Sequence, residues 1–261
     1  MSIKSFITIA LLFFSNLCGI IVETPHFEDL KKYISKDCLV VLDIDDTLLV
    51  PVQSLGNDVW FRSRVRYHKE LGDSAEVALE KAIAEWEGVR HLTQMKIVEE
   101  GTDGIVSEIQ NQGFTVIGMT TQGLALSTRT IQQLKSHHID LSLTAPCPHD
   151  HYFMNRLGNL YRKGILFTSG TPKGPSLLKL LDIIDFHPST VVFINDNGNY
   201  LHEVASSLEE KGIQFIGLRY SYSDARIQAF NKDIAEIQWQ RSSFARILSD
   251  QEALEILEGN K

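Results

Sequence analysis

Residues 39–44, Leu-Val-Val-Leu-Asp-Ile, form an aliphatic run broken only by Asp43, and Asp45 and Asp46 follow at once. A segment that is continuously rather than alternately apolar suits a strand covered on both faces in a parallel sheet. Similar runs stand at residues 114–119, 191–194 and 215–218, and helical patterns at 124–135, 176–184, 201–211 and 225–237 lie between and after them. A short helix is expected at 27–34, ahead of the first run. Strand alternating with helix predicts a doubly wound α/β fold around a mostly parallel sheet, with ligands bound at the carboxyl ends of the strands. The tail carries a capping box, Ser249-x-x-Glu252, which predicts a final helix.

Residues 56–108 break the alternation. They are polar and helix-forming, with Asp73-x-x-Glu76 as a second capping box and Leu79, Ile83 and Trp86 on one helical face. The block reads as a helical insertion without strands, placed after the first main strand. The expected organisation is therefore a leader at 1–22, a core built from 23–55 and 109–261, and an insertion at 56–108. Residues 149–168 read as irregular, with His149 and His151 in a loop.

At the start, Lys4 precedes an uncharged apolar stretch over residues 6–22, the pattern of a secretory leader. Ser15, Asn16 and Gly19 make it a poor membrane span. The expectation is export to a periplasm or beyond, without membrane attachment once the leader is removed; an uncleaved anchor is the rival. Export would leave Cys38 and Cys147, whose pairing the sequence leaves open. With 43% hydrophobic and 22% charged residues, the chain has the makings of an ordinary globular core. Its net charge of -8 argues against nucleic acid as the main partner, but not against a small phosphorylated ligand. Oligomeric state is not legible.

The chemistry gathers where the first run ends. In a strand, residues 43 and 45 point to the same side, so their carboxylates crowd together. Like charges at that range repel unless a cation or shared proton holds them. Mg2+, a hard ion that takes carboxylate oxygens and keeps several waters, relieves the repulsion. One carboxylate can then attack phosphorus while the other gives and takes a proton.

Asp43-Ile44-Asp45-Asp46-Thr47-Leu48 resembles the first motif of the haloacid dehalogenase (HAD) superfamily phosphatases at every position. That resemblance implies a Rossmann-like HAD core and casts Asp43 as the nucleophile. Asp45 becomes the general acid/base, which also lends its main-chain carbonyl to Mg2+. The second aspartate favours phosphate ester hydrolysis over dehalogenation. By the same resemblance Thr120, or Thr121 beside it, binds phosphate. Lys173 supplies the catalytic and phosphate-binding cation, with Lys163 as the rival. Asp196 completes a metal set of Asp43, Asp45 and Asp196, and Asn197 and Asn199 stand behind it. Asn195 departs from the Gly or Asp usual there and leaves turnover open. Alternatives are a HAD-fold binding or effector protein with little turnover, and a phosphotransferase. An insertion after the first motif resembles a cap that selects substrate, with Trp60 and Arg62 as its substrate candidates, although Trp60 and Phe61 also suit packing the cap onto the core. The leader, the first motif and residues 56–61 together also resemble a poorly characterised bacterial family of exported HAD-like proteins.

Overall fold

The computed structural model describes residues 19–243 and 247–259. The chain runs through β1 (Ile20–Thr24), β2 (Cys38–Asp43), β3 (Leu49–Pro51), α1 (Asp58–Glu70), α2 (Ala75–Leu92), β4 (Met95–Ile97), α3 (Thr102–Asn111) and β5 (Thr115–Thr120). It continues through α4 (Ser127–Ser136), β6 (His151–Met154), β7 (Gly158–Arg162), β8 (Ile165–Phe167), α5 (Lys173–Ile183) and β9 (Thr190–Asn195). α6 (Gly198–Glu209), β10 (Gln214–Tyr220), α7 (Asp224–Gln228), α8 (Lys232–Arg241) and α9 (Asp250–Gly259) complete it. The main sheet has the order β1-β10-β9-β2-β5-β8-β7-β6. Its first six strands pair in parallel, and β8, β7 and β6 pair antiparallel. This is the doubly wound α/β fold that the aliphatic runs predict.

β2 is buried along its whole length because helices cover both faces. Val40 and Leu42 join Val106, Ile109 and Leu134 from α3 and α4 in one apolar cluster. Leu39 and Val41 join Leu177, Leu180, Val204 and Leu208 from α5 and α6 in another. Alternation along the strand sends Asp43 to the α5–α6 side, where Lys173 begins a helix. The register sets Leu42 against Ile194 and Asp43 against Met119, so the carboxyl ends of β9, β2 and β5 finish level.

Several expectations are corrected. β1 reaches back to Ile20 and pairs with β10, so three residues of the segment expected as leader belong to the sheet. Residues 1–18, Cys18 among them, lie outside the described residues. The insertion is not wholly helical: β4 pairs antiparallel with β3, and this ribbon brackets a helical hairpin of α1 and α2. α3 packs under the core sheet rather than in the insertion. The cap of α2 is Ser74, one residue later than the expected box, and its hydroxyl accepts from Val77 N. Residues 149–168 are not irregular but hold β6, β7 and β8. The helix expected at 225–237 is two helices, α7 and α8. The terminal capping box forms as expected, Ser249 N donating to Glu252 Oε2 and Glu252 N to Ser249 Oγ.

The hairpin is fastened at both ends. Gly56, with φ of 87°, turns the chain where a Cβ would come within 2.9 Å of Val89 Cγ1, so glycine permits both the turn and the approach. At the far end, just past α2, Thr93 O accepts from Arg129 Nη2 and from Gln133 Nε2 of α4. Trp60 packs on Trp239 of α8 at 5.5 Å between ring centroids, and Leu55 N donates to Gln238 Oε1. The C-terminal helices thus act as a strap across the cap. No helix among the described residues is long and apolar enough to cross a membrane.

Candidate active site

The loop after β2 is a tight turn. Leu48 N and Leu49 N both donate to Ile44 O, and Asp46 N donates to Leu49 O. Asp46 adopts a φ of 59°, a left-handed conformation that aspartate tolerates better than most residues. The turn sets Asp43, Asp45 and Asp46 close together with different surroundings.

Asp43 is buried and ion-paired with Lys173 Nζ, a side chain 1% exposed at the first position of α5. Lys173 also lies over the ring of Tyr200, 4.5 Å from its centroid. Burial raises the Asp43 carboxyl to about 6, against the pull of Lys173, and Asp45 adds repulsion. The Thr47 hydroxyl lies 3.4 Å from Asp43 Oδ2 and accepts from Asp196 N at 3.1 Å, linking β2 to the end of β9. Asp196 is raised well above its ordinary value by burial and by Asp43 and Asp46. Asp46 is raised to about 7 by burial, with Asp45 and Asp58 adding to it.

Asp45 is held differently. Its Oδ1 accepts from Arg90 Nη2 at 2.7 Å, and its Oδ2 accepts from Gln122 Nε2 at 2.8 Å and from Thr120 Oγ1 at 3.3 Å. Thr130 Oγ1 donates to Gln122 Oε1 at 2.5 Å, which fixes the orientation of that amide. Two of the three donors to Asp45 come from the β5 end, and the third comes from the cap.

Of the sequence candidates, the fold brings together Asp43, Asp45, Thr120, Lys173 and Asp196. Thr121 lies one residue on, on the side of Tyr200, whose hydroxyl burial raises to about 12 while Thr121 pulls it back. Arg62 pairs with Asp58 and feels Asp196 and Tyr200, so it stands at the margin of the cluster. Four candidates are placed otherwise. Trp60 is 1% exposed in the apolar cluster with Leu55, Val89 and Ala235, so it packs rather than faces a substrate. Lys163 sits in the turn between β7 and β8, beside Ile131 and Leu134, and away from Asp43. Asn197 spends its side chain capping α6, where Oδ1 accepts from Asn199 N, and Asn199 is exposed. Cys38 and Cys147 are free thiols, and Cys147 Sγ lies 3.3 Å from His151 Nε2.

No group of three or more His, Cys, Asp or Glu side chains among the described residues is arranged to hold a metal ion. The Asp45 carboxylate is engaged elsewhere, which leaves Asp43 and Asp196 as carboxylate donors. Two carboxylates with a main-chain carbonyl and waters is a donor set suited to Mg2+, which seldom takes an all-protein cage. Burial raises both acids, with Asp45 repelling Asp43 and with Asp43 and Asp46 repelling Asp196, and a cation held between them would relieve that cost.

A family described as "Protein of unknown function (DUF2608)" has a model that matches residues 23–254. The chain belongs to that family. A "Putative outer membrane protein" of Chlamydia pneumoniae is 24% identical over 248 residues, covering 89% of this chain and 88% of that one. A protein of the same name from Chlamydia trachomatis is 26% identical over 201 residues, covering 77% and 75%. An uncharacterized protein of Rickettsia prowazekii is 24% identical over 229 residues, covering 83% and 81%. Among solved structures, a hydrolase from Pseudomonas syringae superposes with a TM-score of 0.44 at 13% identity, covering 74% of this chain and 99% of that one.

Sequence reasoning missed several residues that build the site of this DUF2608 chain. Arg90 reaches Asp45 from the cap, and Gln122 reaches it from just beyond Thr120. Glu203 of α6 accepts from the main-chain N–H groups of Lys173 and Gly174, anchoring the start of α5 and with it the lysine. Arg226 stands 3.8 Å from Asp46 Oδ1, and Ser223 donates to the Asp46 carbonyl. Gln122 was the most findable of these, because it directly follows a strand-end Thr-Thr pair. Nothing local marks the others.

Proposed function

We propose that this chain is a magnesium-dependent phosphatase that hydrolyses a small phosphate monoester through an aspartyl-phosphate on Asp43. The observation that carries the reading is the buried Lys173–Asp43 ion pair at the carboxyl end of β2, between residues 130 positions apart. A buried lysine held against an acid at a strand end is poised to neutralise an incoming phosphoryl group. Asp43 attacks phosphorus as the bond to the leaving oxygen breaks, and Asp45 gives that oxygen its proton. Water then attacks the phosphoaspartate while Asp45 takes a proton back, which releases phosphate and restores Asp43. Thr120 and Lys173 hold the phosphoryl oxygens throughout. Mg2+, when bound by Asp43, Asp196 and the Asp45 carbonyl, supplies charge neutralisation at those oxygens. Asp43→Asn is expected to abolish magnesium-dependent release of phosphate from p-nitrophenyl phosphate. Activity retained in that variant removes the assignment.

A second reading, a binding protein with little turnover, is favoured by one observation: three protein donors already engage the Asp45 carboxylate. Beryllium fluoride with Mg2+ separates the two, because a working phosphoaspartate site binds it and raises the melting temperature.

We also propose export. The leader pattern and the name of the Chlamydia relatives, putative outer membrane proteins, support it. Because β1 begins at Ile20, cleavage ahead of that residue preserves the edge strand. N-terminal sequencing of the processed protein checks this, and a mature chain starting beyond Val22 contradicts it.

A further inference from the structure

Among the described residues Arg90 is the one cap side chain that hydrogen-bonds Asp45, and its guanidinium is only half used. A guanidinium binds a carboxylate best along one edge, Nε and Nη2 donating in parallel to the two oxygens. The same cap holds such a pair: Arg64 Nε donates to Glu85 Oε2 at 2.7 Å and Arg64 Nη2 to Glu85 Oε1 at 3.0 Å. Arg90 departs from it. Its Nη2 donates to Asp45 Oδ1, but its Nε is buried and has no acceptor. Asp45 cannot fill the second position, because Gln122 and Thr120 draw its other oxygen toward β5. Arg90 is 2% exposed, so water does not easily satisfy the orphaned donor. Its guanidinium lies 5.1 Å from the ring centroid of Trp86, whose indole N–H is also buried without an acceptor. A buried donor left unpaired is strongly unfavourable, and one beside a candidate proton-transfer group points to a ligand that pairs it.

We propose that Arg90, backed by Trp86, is the recognition site for a carboxylate on the alcohol part of the substrate, and that Asp45 stands in for that carboxylate when no ligand is bound. The natural substrate class is then a small phosphorylated hydroxy acid. The exchange adds a hydrogen bond, since a free carboxylate reaches both Nε and Nη2 whereas Asp45 reaches only one. It also frees Asp45 Oδ1 from the cap, so that the acid can turn toward the leaving oxygen. An ester without a carboxylate leaves Asp45 held by Arg90. Recognition of the correct leaving group and release of the proton-transfer group are one event.

The test has a kinetic arm, which rests on the phosphatase reading, and a binding arm, which does not. The kinetic arm compares kcat/KM for 2-phosphoglycolate and for ethyl phosphate in wild type, Arg90→Lys and Arg90→Gln. One additional charge-assisted hydrogen bond corresponds to roughly 10- to 100-fold, so wild type should favour 2-phosphoglycolate by at least about tenfold. Arg90→Lys, which keeps the charge but loses the fork, should lose most of that ratio, and Arg90→Gln should bring it near one. If Arg90 serves only to tie cap to core, its loss changes both substrates alike and the ratio survives, which overturns the proposal. A wild-type ratio near one also overturns it, while leaving the phosphatase reading intact. The binding arm titrates phosphonoacetate and methylphosphonate, neither of which is hydrolysed, by calorimetry and tryptophan fluorescence. Tighter binding of phosphonoacetate in wild type but not in Arg90→Gln sustains the proposal even if no ester is turned over. Equal binding of the two phosphonates in wild type sinks it.

Discussion

Lys173 is confined more than any other charged side chain at the site. It is buried, paired with Asp43, stacked on Tyr200 and carried on a helix whose first N–H groups Glu203 accepts. Lys173→Met therefore removes two things: the cation proposed to meet the phosphoryl group and the partner of a buried acid. Loss of such transition-state charge stabilisation lowers kcat by about 100- to 1000-fold. Leaving one member of a buried pair alone destabilises by about 3–5 kcal/mol, part of which Mg2+ should restore by taking over the neutralisation. Lys163→Met is the comparison, since Lys163 lies in the β7–β8 turn, and both activity and melting temperature should stay near wild type. Phosphate release and thermal melting on the two variants decide this; if Lys163→Met is the inactive one, the lysine is misassigned. The residues readable in advance, Asp43, Thr120, Lys173 and Asp196, end a strand, directly follow one or start a helix. Each therefore carries a local mark in the chain. Arg90 and Glu203 do not, because they act through partners 45 and 30 positions away, and only the folded chain brings those together.

The element that departs furthest from its sequence pattern is α2. Its large apolar residues Leu79 and Ile83 are 43% and 37% exposed, whereas Ala78, Ala82 and Val89 face inward. The pattern weighted size, but the α1–α2 hairpin needs small side chains to bring two helices together. The hairpin is also joined by the Arg64–Glu85 pair, by His68 on Glu85 and by Phe61 on Trp86. Leu79→Gln should then change stability by less than about 0.5 kcal/mol. Ala82→Leu should overpack the hairpin and lower stability by about 1–3 kcal/mol. Urea unfolding of the two variants tests the orientation, and the opposite ranking would mean that α2 is turned around. The same reasoning explains what was legible in the sheet. The long aliphatic runs of β2, β5, β9 and β10 announce buried parallel strands. β4 and β8 have three residues each and β6 four, too short to display an alternation, so they passed for helix or loop. β1 was hidden because its apolar residues continue the apolar run that reads as a leader.

At the scale of the whole molecule, the site leaves its mark on stability as a function of pH. Burial raises Asp43 to about 6 and Asp46 to about 7, and Asp196 is raised as well. In the unfolded chain all three return to an ordinary aspartate value near about 3.9. Between these values the folded protein holds more protons than the unfolded one, so their contribution is full below the unfolded pKa. It is lost as pH rises through the folded values. Asp29 works in the opposite sense: Lys32 and Thr24 lower it, so its contribution holds above the unfolded value and is lost on acidification. Stripped of metal by a chelator, the protein should therefore melt at a higher temperature near about pH 5 than near about pH 7.5. On the proposed reading Mg2+ would bind only the ionised acids of the native state, so the rise in melting temperature that it gives should be larger at the higher pH. Asp46→Asn provides the control. Asparagine tolerates the left-handed φ of 59° at that position, so the turn survives while the acid raised to about 7 is removed. In chelator, this variant should melt higher than wild type near neutral pH and show a flatter slope. Thermal melts at three pH values, with chelator and with Mg2+, read all of these effects together. A chelated wild type that gains stability on going from mildly acidic to neutral pH would mean that these carboxylates are not buried together at the end of β2.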